Sequence, residues 1–345
     1  MPRDSRVLLV SACPVLACAA LLAGRAQAAP EPATPPSALA DTAQIWTLQG
    51  ENSSISTAQT TDRYYTNGIR LGFTSGTDQV PQVLQDFSRA VFGQAQNRFS
   101  IDLTQQMYTP FDTKSYDPPQ SDRPYAGVLV ANFGLWADTA NSRSVLGASL
   151  GVMGPAALGE EVQNGFHDLI GQDHNNGWHT QLDNEPVVQV LAARSWRVPL
   201  TPAGNTLEVD LVPQVQAEVG TLRIYGQAGP QFRFGQGLDS DFGVARLRPG
   251  FSGGDAFKPT RPFVWYVFGG ASGRVVGRDG TLEGNMWQNS RSVDIEHLVA
   301  EMYGGLAMEA WGMRLAYTHS FQTNEFQHQK GGLHQFGSLS LSVRF

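Results

Sequence analysis

From Trp46 to Phe345 the chain alternates, over and over, between apolar and polar residues. In TLEVDLVPQVQAEVG (206–220), Leu207, Val209, Leu211, Val215, Ala217 and Val219 fall on one side of an extended backbone. Glu208, Asp210, Gln214, Gln216 and Glu218 fall on the other. Successive side chains of a strand point to opposite faces, so this length of alternation specifies a long strand with one apolar and one polar face. LRIYGQAGPQFRF (222–234) repeats the pattern, and Gly220-Thr221 between the two runs suits a hairpin turn. FSIDLTQQMY (99–108), MRLAYTHSF (313–321) and GSLSLSVRF (337–345) alternate in the same way. Roughly twelve such runs follow Trp46.

A soluble sandwich buries its apolar faces against each other, whereas a membrane barrel turns them to lipid and keeps the polar faces in the lumen. Three features favour the barrel. The runs are about ten residues long, which suits a tilted membrane crossing. Phe, Tyr and Trp recur near their ends, where interface girdles sit. The run ending in Phe345 resembles the terminal signature of bacterial outer-membrane proteins. Closure leaves no unpaired backbone in lipid, so an even number of antiparallel strands is expected. The expected fold is therefore all-β: a transmembrane antiparallel β-barrel of about 12 strands over residues 46–345. A short helical segment is expected near 158–171.

The residues before the barrel concern export. MPRDSRVLLVSACPVLACAALLAGRAQAAP combines Arg3 and Arg6, an apolar run and Ala26-Gln27-Ala28, the pattern of a signal peptide over residues 1–28. VLAC (15–18) gives a weaker lipoprotein alternative. Residues 29–45, rich in proline and alanine, read as a flexible leader. Both cysteines, Cys13 and Cys18, lie in the cleaved segment, so the mature chain has no disulfide or thiolate site. Losing Arg3, Asp4, Arg6 and Arg25 takes the formal charge from −7 to −9. An acidic chain without a lysine or arginine cluster argues against nucleic acid as a partner.

The interruptions carry the chemistry. The segments 235–262 and 276–291 are polar, glycine-rich and expected to be loops, and 154–185 is the interruption with helical spacing. Within it Gln163 and His167 are four apart and share a helix face, with Val162, Phe166, Leu169 and Ile170 forming an apolar stripe. A histidine there suits a general base, although a solvated loop histidine fits the spacing equally, and His174 and His179 follow closely. Two more polar blocks stand beside strands: QGENSS (49–54) with TDRYYTNGIRLGF (61–73), and SDRPYAG (121–127). Each alone also reads as hairpin punctuation.

Taken together these blocks resemble a family, the outer-membrane lipid A 3′-O-deacylases of Gram-negative bacteria. GVMGPAALGEEVQNGFH (151–167) is similar to the family's central motif, and WHTQLDNEP (178–186), SDRPYAG and DRYYTNG follow its other blocks. The resemblance implies a twelve-stranded barrel with an active site near the extracellular rim, reached sideways by lipid A. It implies a mechanism like that of calcium-dependent phospholipases A2, with a histidine-activated water and Ca²⁺ assisting the oxyanion. On this resemblance His167 is the base, Gln163 an oxyanion or positioning group, and Asn52 and Thr66 members of the site. Asp173, Ser53 and Asn52 occupy the calcium positions, and Arg123 contacts substrate. The partners expected are lipid A (lipopolysaccharide) and outer-membrane lipids, and the chain is expected to be a monomer. In one respect the sequence departs from the family: Asn52-Ser53 stands where Asn-Asp is usual. A lost carboxylate weakens a calcium site, and Glu51 alternates to the other strand face. An outer-membrane phospholipase and a barrel without activity are the alternative readings.

Overall fold

Alternation becomes wall. In the computed structural model, which describes residues 40–55, 63–202, 205–244 and 256–345, each long strand pairs antiparallel with its neighbours. The strands are β1 (Ile45–Asn52), β2 (Tyr64–Thr74), β3 (Gln96–Thr109), β4 (Ala126–Asp138), β5 (Ser142–Met153) and β6 (Glu185–Trp196). They continue with β7 (Val198–Pro199), β8 (Glu208–Gly220), β9 (Arg223–Gln236), β10 (Phe263–Asp279), β11 (Leu298–Ala310), β12 (Met313–Gln322) and β13 (His334–Arg344). β1 pairs with both β2 and β13, and β6 pairs with β8, so the sheet closes. The result is a twelve-stranded barrel with the two-residue β7 added beside β8. The helices are α1 (Gln82–Phe92), α2 (Gly159–Ile170) and α3 (Gly280–Glu283).

The direction of the faces decides what kind of barrel it is. Leu103, Leu71, Leu48, Leu341 and Leu315 lie in register across β3, β2, β1, β13 and β12, and all point outward and exposed. One position further along, Thr104, Arg70, Gln49 and Ser340 also lie in register, and all are buried in the lumen. A leucine belt outside and buried polar groups inside reverse the order of a soluble protein and match a barrel in lipid. Buried polar groups need partners. Arg70 donates to Gln49 at 2.7 Å, and Asn132 donates to Asp102 at 2.7 Å. The hairpin joining β11 to β12 is Trp311-Gly312, both with positive φ as a tight hairpin turn requires. Trp311 stands almost fully exposed there, at the end of the barrel that carries both the first strand's start and Phe345.

Five expectations change. The segment 154–185 is not alone in being helical, because α1 lies between β2 and β3. Its exposed Val83, Phe87 and Val91 repeat every fourth residue, a signal masked by the polar residues between them. The segment 276–291 begins as strand, since β10 runs on to Asp279. Of the expected loop 235–262, residues 245–255 lie outside the described residues, and in the parts on either side Asp241, Phe242, Ala256 and Phe257 are buried. Asp241 accepts from Arg233 at 2.5 Å, from Arg314 at 2.9 Å and from Tyr266 at 2.6 Å. The turn between β8 and β9 falls one residue beyond the expected position, at Thr221-Leu222. Ordered contacts also begin before Trp46, where Asp41 pairs with Arg98 at 2.8 Å and Arg344 at 2.7 Å. The signal segment and the rest of the leader lie outside the described residues.

Candidate active site

At the rim opposite the termini, α2 lies against the outside of the wall. β5 ends at Met153, and Gly154, with φ 108°, turns the chain into a short 3₁₀ turn, Pro155–Ala157. Two glycines let backbone meet backbone: a Cβ on Gly127 of β4 would sit 3.2 Å from Ala157 Cβ, and one on Gly159 would sit 2.7 Å from the Trp178 ring. Gln105 of β3 donates to the Ala157 carbonyl at 2.6 Å and so ties the helix entry to the wall. Met107, Tyr125 and Trp178 are buried together, with Val162 of α2 packed on them.

Between α2 and β1–β3 lies a cleft of about 510 Å³. Its wall side is formed by Asn52, Thr66, Asn67, Ile69 and Met107, and its helix side by Val162, Gln163, Phe166, His167 and Ile170. Asn52 and Ile69 fall on the outward face of their strands, so the cleft opens on the lipid side of the wall. A β-bulge completes it. Tyr65 pairs with Tyr108 and Asn67 with Met107, which leaves Thr66 unmatched. The extra residue places Thr66 and Asn67 on the same side, although strict alternation would send one into the lumen.

His167 is buried, and its Nδ1 lies 2.6 Å from the Asp173 carbonyl oxygen. A carbonyl only accepts, so Nδ1 carries the hydrogen and the neutral ring has its lone pair on Nε2. The helix end makes this contact. Gly171, with φ 69°, reverses the chain while the Gln172 amide donates to the His167 carbonyl at 2.9 Å, as a left-handed cap does. Asp173 is thereby folded back beneath the imidazole. Asn164, one helical turn before Asp168, holds the returning loop. Its Oδ1 accepts from the Asn175 amide at 3.0 Å, and its Nδ2 donates to the Asn175 carbonyl at 3.5 Å. The other nearby histidines have different places: His174 pairs with Asp168 at 2.7 Å in the open, and His179 stacks on Tyr116.

The remaining expected residues divide. Gln163 lines the cleft beside His167, with its Oε1 occupied by the Trp178 indole N–H at 2.9 Å. Asn52 lines it too, accepting from the Ser54 amide at 2.6 Å and from the Ser54 hydroxyl. The Thr66 hydroxyl shares a 2.7 Å hydrogen bond with Thr109. Asp173 lines the mouth, but its carboxylate is exposed and 3.9 Å from Lys114 Nζ. Ser53 is buried and is not among the lining residues. Glu51 points into the lumen and accepts from Tyr65 at 2.8 Å. Arg123 is not brought to the cleft. It is fully buried in the barrel, 3.4 Å from Glu325 and 3.0 Å from Thr281, with its guanidinium over the Tyr108 ring. A buried guanidinium is held by such partners rather than offered to a ligand.

Two cleft residues escaped the sequence reading. Asn67 Oδ1 is a buried acceptor without a hydrogen-bond partner, and Asn175 Nδ2 is a buried donor without one. Asn67 stands inside the DRYYTNG block and faces the cleft by ordinary alternation with the outward Ile69, but the block gave it no role. For Asn175 no sequence signal was available. Among the described residues no three His, Cys, Asp or Glu side chains cluster as a metal-binding group.

The comparisons bear on the family and the fold. The family model described as "Outer membrane protein LpxR" matches residues 9–345. The solved structure of LpxR from Salmonella typhimurium superposes with a TM-score of 0.72 at 22% identity, covering 87% of this chain and 100% of that one. At that identity the likeness establishes the shared barrel fold. The transport unit of the autotransporter AIDA-I from Escherichia coli reaches a TM-score of only 0.39 at 8% identity, over 95% of this chain and 97% of that one. No curated protein sequence matches the chain. With the family matched along nearly its whole length and the barrel shared, the chain belongs to the outer membrane protein LpxR family.

Proposed function

We propose that the protein is a lipid A 3′-O-deacylase of the outer leaflet. The observation that carries this reading is His167, buried on the lipid side of the wall with Nδ1 held by a backbone carbonyl. A general base so placed meets a lipid ester without the lipid leaving the membrane. Ile69, Phe166 and Ile170 give acyl chains an apolar wall. Nε2 takes a proton from water as the water oxygen attacks the ester carbonyl. The tetrahedral intermediate then expels the sugar oxygen, which recovers the proton from Nε2. Gln163, fixed by Trp178, holds the helix face against the site.

The donor set fits a hard cation: Asn52, Thr66, Asn67 and Asp173 offer only oxygen, and the partnerless Asn67 Oδ1 is an acceptor awaiting a positive group. These four residues are the ones to hold Ca²⁺. When bound, Ca²⁺ supplies electrostatic stabilisation of the oxyanion. With Ser53 in place of a carboxylate and out of the lining, the site has one acidic side chain and is expected to bind weakly.

Mass spectrometry of lipid A from cells producing the protein tests the reading. The expected result is loss of the 3′ acyl chains with the intact chain and none with His167→Ala. Unchanged lipid A in both would sink it, and release of lysophospholipid instead would favour a phospholipase.

A further inference from the structure

We infer that Asn175 is a further catalytic residue, its side-chain amide donating to the oxyanion formed during ester cleavage; this rests on the ester-hydrolase reading of the cleft. Asn175 is 5% exposed, lines the same cleft as His167, and its Nδ2 is buried without a hydrogen-bond partner. An unpaired buried donor costs stability. Such a donor gains its partner when charge develops on an oxygen in front of it, and preorganised donors of this kind stabilise oxyanions strongly in water-poor sites.

The backbone around it is built to hold it still. Asn164 grips both the amide and the carbonyl of Asn175, at 3.0 and 3.5 Å. The same loop, two residues earlier, supplies the carbonyl that fixes His167. Base and donor are therefore set by one loop, clamped by one helix residue of the EVQN stretch. Asn67 provides a contrast in the same cleft: its orphan is an acceptor and suits a cation, whereas the Asn175 orphan is a donor and suits an anion.

The experiment uses the purified full-length protein in detergent, acting on lipid A and on a long-chain p-nitrophenyl ester. Asn175→Ala is expected to lower kcat by about a hundredfold with KM little changed, the pattern of a donor used in the transition state. Asn175→Asp keeps the shape but removes the donor, and is expected to fall as far. Binding of a long-chain phosphonate, which imitates the tetrahedral oxyanion, should weaken in both variants by a similar factor. A purely structural residue would not couple phosphonate affinity to kcat in this way. Folding is followed by the heat-modifiable mobility of the barrel, and if Asn175→Ala fails that check, Asn175→Asp decides. Either folded variant retaining kcat within about twofold on a substrate the wild type cleaves would overturn the inference. Wild-type cleavage of the simple ester but not of lipid A would sink the lipid A reading alone. Cleavage of neither would sink both.

Discussion

A neutral His167 can act as a base only through the ring nitrogen without hydrogen, and the Asp173 carbonyl, 2.6 Å from Nδ1, makes that nitrogen Nε2. In the proposed reaction this backbone carbonyl would do what a carboxylate does in a catalytic triad, while the Asp173 side chain stays exposed at the mouth of the cleft. The wall side supplies oxygen. If Asn67 Oδ1 is a calcium ligand, Asn67→Asp adds the charge that Ser53 does not provide, and should tighten calcium binding by about tenfold, while Asn67→Ala should weaken it. Calorimetric titration of the purified protein with CaCl₂ reads both, and equal affinities in all three proteins would remove Asn67 from the site. His167 and Gln163 were legible in the sequence as two residues on one helix face. Spacing alone did not separate His167 from His174 and His179; the family resemblance did, and the structure adds a physical difference, the chain reversal at Gly171 that brings the Asp173 carbonyl to His167.

Among the elements, the site exists because α2 touches the wall. Gly127 and Gly159 permit that contact, since side chains at either place would meet Ala157 or Trp178. Gly159→Val is expected to push α2 off the wall at a cost of about 1–3 kcal/mol. Ester hydrolysis should then fall at least tenfold while the unheated barrel keeps its fast electrophoretic mobility. Full activity in this variant would show that the helix position does not matter. The strands were readable from alternation because each has one lipid face and one lumen face, so residues such as Leu48 and Gln49 declare their sides. The bulge at Thr66 was not readable. One extra residue changes which side a run faces without changing its composition, and here it falls where the cleft is formed. α1 was missed because polar residues interrupt its stripe of Val83, Phe87 and Val91.

Across the whole molecule, buried charge ties together segments that lie far apart in the sequence. Near the end that carries the termini, Arg233 bridges Asp210 and Asp241, and Arg314 reaches Asp241 from another strand. Asp241 follows the short 3₁₀ turn Leu238–Ser240, so this cluster fastens that turn inside the barrel. Burial alone would push the Asp241 carboxyl up, but Arg233 and Arg314 outweigh it and hold it down to about 2. A carboxyl depressed in the folded state contributes stability that is complete above its unfolded value and is lost as pH falls through the folded one. The barrel should therefore lose urea resistance between about pH 4 and pH 2. Asp241→Asn tests the assignment because it removes this titration and takes one carboxylate from Arg314 and one of two from Arg233, which keeps Asp210. It should destabilise the barrel by about 3 kcal/mol at neutral pH and flatten the acid-side loss. Urea unfolding followed by tryptophan fluorescence at a series of pH values measures both effects. An unchanged acid limb in Asp241→Asn would mean that other carboxylates carry the acid sensitivity. The rim with His167 lies at the opposite end, so deacylation by Asp241→Asn at neutral pH should stay near wild type for as long as the barrel remains closed.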